Sequence, residues 1–297
     1  MKKLTRKLFI SILSMAFAVI AIGTTTFAWI TISTTAEVDT FDANVEAGAG
    51  GIELSWDGST GWTTLLLNAK DHYNTGFKGF SDICYDRSNG NSEGFYDMKI
   101  NGQTAVKETI ADGNNEKYVT FTFYVKNTNA NTPITLKVTG TTFDSYAAGG
   151  VNTPNPFVSD IAFSYGESVN VTAASEVSQF VVANAARMMI KAGNSSPVIY
   201  EKAAVDGNTV HAEIDQTKGA AHAYFKAKNY NFGTLSNSEY DTYKNNQEAE
   251  LCTIQGGAEP VAITVTIWIE GWDNECHANI LSQVLKSSIS LEAVSSN

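Results

Sequence analysis

Along residues 118–126 every second side chain is apolar. Val119, Phe121, Phe123 and Val125 fall on one side, and Tyr118, Thr120, Thr122, Tyr124 and Lys126 on the other. A period of two is the repeat of extended chain, so this segment can bury one face only as a strand in a sheet. The pattern returns over Val261–Glu270, where Ile263, Val265, Ile267 and Ile269 alternate with Thr264, Thr266 and Trp268. It returns again over Ser287–Val294, where Ile289, Leu291 and Ala293 share a face. Asn127–Pro133 is a turn by composition, and Ile134, Leu136 and Val138 alternate beyond it, which predicts a hairpin with the 118–126 strand. Shorter strands are expected at 51–56, 61–67, 160–164, 197–201, 210–214 and 221–227.

One stretch has a helical repeat. Val177, Phe180, Val181, Ala185 and Met188 recur at i, i+3, i+4, i+8 and i+11 after Ser175-Glu176, with Asn184 as a polar break, and residues 187–191 read as strand again. Residues 278–286 are expected to form a second, shorter helix. Segments 68–117 and 228–250 are polar and lack a periodic apolar face, so they read as long loops. With 43% hydrophobic residues and only five prolines, the chain can bury a sizeable core. The expected class is all-β, a β-sandwich over residues 51–297 with one or two short flanking helices.

Residues 1–28 have the layout of a signal peptide. Lys2, Lys3, Arg6 and Lys7 are followed by a charge-free, largely apolar run from Leu8 to Ile22 and by the small-residue site Thr26-Phe27-Ala28. Cleavage between Ala28 and Trp29 would leave no stable membrane span. The rival reading is an uncleaved anchor, because Phe27 to Ile32 extend the apolar stretch through three threonines to spanning length. Residues 1–28 hold four of the 20 Lys and Arg and none of the 31 Asp and Glu, so the mature chain has 16 basic against 31 acidic residues, a net charge of −15. That balance argues against nucleic acid or an anionic membrane as partner, and suits a secreted protein outside the cell or on its surface.

No constellation for catalysis stands out. His72, His211, His222 and His277 form no H-E-x-x-H pattern, G-x-S-x-G does not occur, and Gly48-Ala49-Gly50-Gly51 reads as a turn into Ile52. The chain is therefore read as a non-enzyme without a cofactor. Glu270, Asp273 and Glu275 place three carboxylates within six residues after a strand and could hold calcium through oxygen ligands, or could simply end the strand at a turn. Cys84, Cys252 and Cys276 are too few for a disulfide scaffold; Cys252 and Cys276 flank one strand and either bridge or stay free with Cys84. Five tryptophans and twelve tyrosines could stack on a polysaccharide, or serve core and sheet-face packing.

The junction Thr24-Thr25-Thr26-Phe27-Ala28-Trp29-Ile30-Thr31 resembles that of exported proteins of the TasA/camelysin type from Gram-positive bacteria, with Ile30 in place of the family's second aromatic residue. The resemblance extends to Phe121–Asn127, to Ala183-Asn184-Ala185-Ala186-Arg187 and to Ile267-Trp268-Ile269-Glu270-Gly271. It implies a jelly-roll-like sandwich that self-associates into extracellular fibres of a biofilm matrix, by itself or with other matrix proteins. In such fibres an N-terminal strand completes the sheet of the next subunit. Here that strand would come from Trp29–Val45, in the extended segment 29–50, with Ile30, Ile32, Val38, Phe41, Ala43 and Val45 filling a groove. The alternative is that the segment folds back into its own domain. Some camelysin relatives are described as metallopeptidases, and this sequence departs from any zinc-protease pattern. A structural or interaction protein is the leading expectation, ahead of a carbohydrate- or cation-binding adhesin and a secreted peptidase.

Overall fold

The two strongest alternations pair with each other. In the computed structural model, which describes residues 38–45, 51–86, 94–110, 116–147, 157–165, 169–177, 181–202, 224, 227–230, 242–273, 275–277, 280 and 283–295, Val261–Glu270 runs antiparallel to Val119–Asn127. In chain order the strands are β1 (Val38–Val45), β2 (Ile52–Ser55), β3 (Leu65–Leu66), β4 (Asp82–Asp86), β5 (Gly94–Asn101), β6 (Thr104–Thr109), β7 (Val119–Asn127) and β8 (Ile134–Ala147). Then come β9 (Phe157–Val158), β10 (Phe163–Tyr165), β11 (Val169–Val171), β12 (Glu176–Val177), a single helical turn α1 (Val182–Ala185), β13 (Ala186–Ala192) and β14 (Val198–Glu201). The last are β15 (Tyr243–Lys244), β16 (Ala249–Ile254), β17 (Val261–Glu270) and β18 (Gln283–Ser295). All described residues fall within one compact unit, Thr34–Asn297. Among them no helix is long and apolar enough to cross a membrane.

While β10 with β11 and β9 with β12 form two small ladders of their own, two main sheets share most of these strands. One has the order β16-β8-β18-β1-β3. The other centres on β17, which takes β13 on one edge and β7 on the other; β14 and β15 extend it past β13, and β2 extends it past β7. A single apolar cluster joins them, with Phe121, Phe123, Val265 and Ile267 from the β17 sheet and Leu136, Val138, Leu285 and Ile289 from the β18 sheet. The expected all-β sandwich is therefore what forms.

The hairpin expected between β7 and β8 does not. β7 pairs with β17 and β2, whereas β8 pairs with β18 and β16, so residues 128–133 carry the chain from one sheet to the other. Alternation tells which face is buried but not which strand lies alongside, and six residues are long enough to cross the roughly 10 Å between packed sheets. Gly256 receives this crossing: a Cβ there would lie 2.7 Å from the backbone nitrogen of Thr132.

The helix over 175–188 shrinks to α1. Glu176 and Val177 are strand, and Arg187 and Met188 already belong to β13, whose pairing with β17 from Ala186↔Ile269 to Ala192↔Ile263 overrides the weak local helical preference. The buried residues Val182, Ala183 and Ala185 of α1 seat it beside β8, β17 and β18. Residues 283–286, expected as helix, are strand, and Tyr224 and Ala227 are helical where strand was expected. The 210–214 strand lies outside the described residues.

The expected loops contain much of the remaining sheet. Within 68–117, β4 continues from the end of β17 in parallel (Ile269↔Asp82, Glu270↔Ile83), and β5 and β6 follow antiparallel. Asn101 pairs with Thr104 across a two-residue turn in which Gly102 has φ +65°, the left-handed conformation that glycine adopts without strain. Within 228–250 lie β15 and the start of β16. β4 and β5 build a second core on the outer side of β17. Trp268, which alternation turns away from the sandwich, is fully buried there, with its ring 5.6 Å from Tyr85 and 5.3 Å from Phe95; Phe95 stacks on Tyr118 at 4.3 Å.

Candidate functional site

The strand-donor candidates converge on β1. Ile30 and Ile32 lie outside the described residues, as do the cleavage-site residues Ala28 and Trp29. Val38, Phe41, Ala43 and Val45 stand opposite Leu285, Ser287, Ile289 and Leu291 of β18, in a parallel pairing within one chain. All four β18 residues are buried. A register slip between Val38 and Phe41 brings positions of opposite parity against buried residues of β18, as a bulge does. Ser287 is the small residue in this row. It lies between Phe143 on β8 and the position of Phe41 on β1.

The other flank of β1 is short. β3 pairs with Ala43 and Asn44, and Ala43 is fully buried. Past β3, Asn68 adopts φ 63° and turns the chain out of strand conformation into a 3-10 turn, Ala69–His72, that lies beside β1. Thr63 bridges to Leu54 of β2, so the Thr63–Leu66 stretch touches both sheets and closes this side of the sandwich. The result is a slot one strand wide, with β18 as one wall and β3 with its following turn as the other. In the isolated chain β1 fills its own slot.

The cation candidates are used internally. Glu270 and Asp273 are fully buried and Glu275 nearly so. Glu270 Oε2 accepts from Trp268 Nε1 at 3.0 Å and its Oε1 from the Trp272 backbone N–H at 3.2 Å. Asp273 Oδ1 accepts from the Glu275 backbone N–H at 2.9 Å, while Oδ2 accepts from Arg187 Nη2 at 2.7 Å. The carboxylates of Glu270 and Asp273 thus meet protein donors, and among the described residues no group of three His, Cys, Asp or Glu side chains is placed to hold a metal ion. Of the two readings of this segment, a calcium loop or a turn that ends the strand, these contacts are those of a strand-end turn.

Arg187, which no sequence motif marks, is the centre of this region. It is 0% exposed and lies 3.1 Å from Glu201 as well as against Asp273; Lys244 completes the row by pairing with Glu201. Arg187 Nη1 also donates to the Ala186 carbonyl at 3.0 Å. Burial pushes the Asp273 carboxyl up to about 6 against the pull of Arg187. Burial raises Glu201 too, but Arg187 and Lys244 outweigh it and hold that group below its usual range. A carboxyl whose folded pKa lies above its unfolded value near 4 contributes stability below that value, and loses it as the pH rises through about 6. Urea unfolding between pH 4 and 7 is expected to show this declining component in the wild type and not in Asp273→Asn. Equal slopes would assign Asp273 an ordinary pKa.

The cysteines are all free. Cys252 sits on β16 at the end of the sandwich where β17 begins, and Cys276 follows the other end of β17, a strand of ten residues or about 30 Å, whereas a disulfide needs its Cα atoms within about 7 Å. The Cys252–Cys276 bridge is therefore corrected to separate thiols, and burial raises the pKa of Cys252. Of the histidines, His72 stacks on Trp56 at 4.1 Å and His277 on Phe163 at 5.4 Å; His211 and His222 lie outside the described residues. Comparison of the chain with family models, with curated proteins and with solved structures finds no match.

Proposed function

We propose that this chain is an exported structural protein of the bacterial cell surface or matrix, and that copies join into fibres by exchanging β1. The observation that carries this reading is the seating of β1. It lies in a one-strand slot and is joined to the rest of the domain by Glu46-Ala47-Gly48-Ala49-Gly50-Gly51, half of which is glycine. An equivalent strand from a second copy would make the same ladder to β18 and β3, so exchange conserves the pairing, and only the link must take a new path. Export rests on the layout of residues 1–28, and the resemblance to TasA/camelysin-type proteins favours fibres over other assemblies.

The test is a lock. Ala43 and Leu66 are directly opposed across β1 and β3, at a spacing that suits a disulfide. Ala43→Cys with Leu66→Cys, in a Cys252→Ser background, is expected to stay monomeric when oxidised and to form fibres by electron microscopy once reduced. Fibres of equal abundance in both states would sink strand exchange, and a wild-type mature chain that stays monomeric at high concentration would sink the fibre reading itself.

A further inference from the structure

β3 is exposed in an unusual way. Leu65 and Leu67 are 46% and 49% exposed, on either side of the buried Leu66, and the stretch from Thr63 to Asn68 carries no charge. The other edge strands of the two main sheets all carry charged residues: Glu250 on β16, Lys244 on β15, Glu53 on β2, and Lys107 with Glu108 on β6. Charge on an edge strand discourages a second chain from docking there. The side of the sandwich that flanks the β1 slot lacks that protection.

Leu65 also occupies a defined place relative to β1. It stands opposite Asn44, one residue before the strand ends at Val45. If β1 comes from a second copy, that copy's β2 starts at its own Ile52, seven residues on from Val45, and so within roughly 25 Å of the acceptor's Leu65 even with the link fully extended. The body of the donor is held at this end of the slot and not at the Val38 end. The geometry points to Leu65 and Leu67 as the seam on which the body of a second copy of this chain rests when it donates β1. This inference rests on strand exchange and adds to it a second, apolar contact outside the slot, where leucines half exposed in the single chain are removed from water.

Leu65→Lys with Leu67→Lys puts the missing charges on this edge while leaving Leu66 and the ladder to β1 in place. Fibre mass at a fixed concentration is expected to fall roughly tenfold or more, tenfold being equivalent to about 1.4 kcal/mol, with the thermal melting of the monomer unchanged. Unchanged fibre mass would overturn the seam. A direct readout comes from Leu67→benzoylphenylalanine: irradiation is expected to give a covalent dimer with the crosslink mapping to the second copy. The same label at Val106, which is 42% exposed on the far hairpin, is expected to give none. No dimer from position 67, or equal yields from both positions, counts against the seam. Should the variant unfold, the photocrosslink in the otherwise native chain decides. The two readings fail separately. Fibres that form without a crosslink at 67 leave strand exchange standing and remove the seam, while fibres insensitive to the Ala43–Leu66 lock remove strand exchange itself.

Discussion

Arg187→Met is expected to lower folding stability by about 3–5 kcal/mol, the cost typical of breaking a buried ion pair by removing one partner. The guanidinium is fully buried and faces two carboxylates, at 2.7 Å from Asp273 and 3.1 Å from Glu201. Methionine fills most of the volume but leaves Asp273 in a site without solvent, while Glu201 keeps Lys244. The loss should therefore be concentrated at Asp273. Arg187→Met combined with Asp273→Asn is expected to cost much less than the two single losses added together, because the second change removes the charge that the first leaves unpaired. Urea unfolding of the three variants measures this. A single variant within about 1 kcal/mol of wild type would mean that the cluster contributes no more than a surface pair.

Trp268→Ala is expected to cost a similar amount, about 3–5 kcal/mol, by a different route. Trp268 is the indole on which the outer core is assembled, and its Nε1 is also the donor to Glu270 Oε2. The cavity opens between β17 and the β4–β5 pair, on the side away from the sandwich. Hydrogen exchange should show where the stability goes. Amides of β5 and β6 are expected to lose most of their protection, while those pairing β1 with β18 keep theirs, since the sandwich cluster does not include Trp268. Uniform loss across both regions would show that the two cores fold as one unit.

How much of this was legible in the sequence depends on whether local spacing held the information. β7 and β17 could be read almost residue by residue, because in each the apolar side chains of the sandwich face alternate with others, among them the threonine partners Thr120 and Thr266, 3.2 Å apart; that the outer face of β17 is buried as well around Trp268 was not legible. β5 and β6 could not. Asp97, Lys99, Lys107 and Glu108 dilute their apolar pattern, and the Asn101-Gly102 turn signal was the only local sign of a hairpin. The carboxylates after β17 stand out in the sequence as a cluster, but their use does not, since the partner that orients Asp273 is Arg187, 86 residues earlier in the chain. The slot was half legible. The β-branched N-terminal segment announced a strand, and the glycines after it a turn into Ile52, yet that its neighbour would be β18 follows only from the fold.

That neighbour sets when the β18 sheet can form. β18 lies between β8 and β1, and its contacts span long separations: Ser288 meets Thr142 from 146 residues away, and Ser287 stands opposite Phe41 from still farther. Until residues 283–295 have been made, β8 has only its ladder to β16 and β1 only its two pairs with β3, and the two halves of the sheet have nothing to join them. Sheets closed by such distant pairings fold slowly, and the waiting strands are prone to meet other chains first. A chain cut short before β18 therefore loses more than one strand of five, because β1 is then left with only the two residues of β3 to hold it.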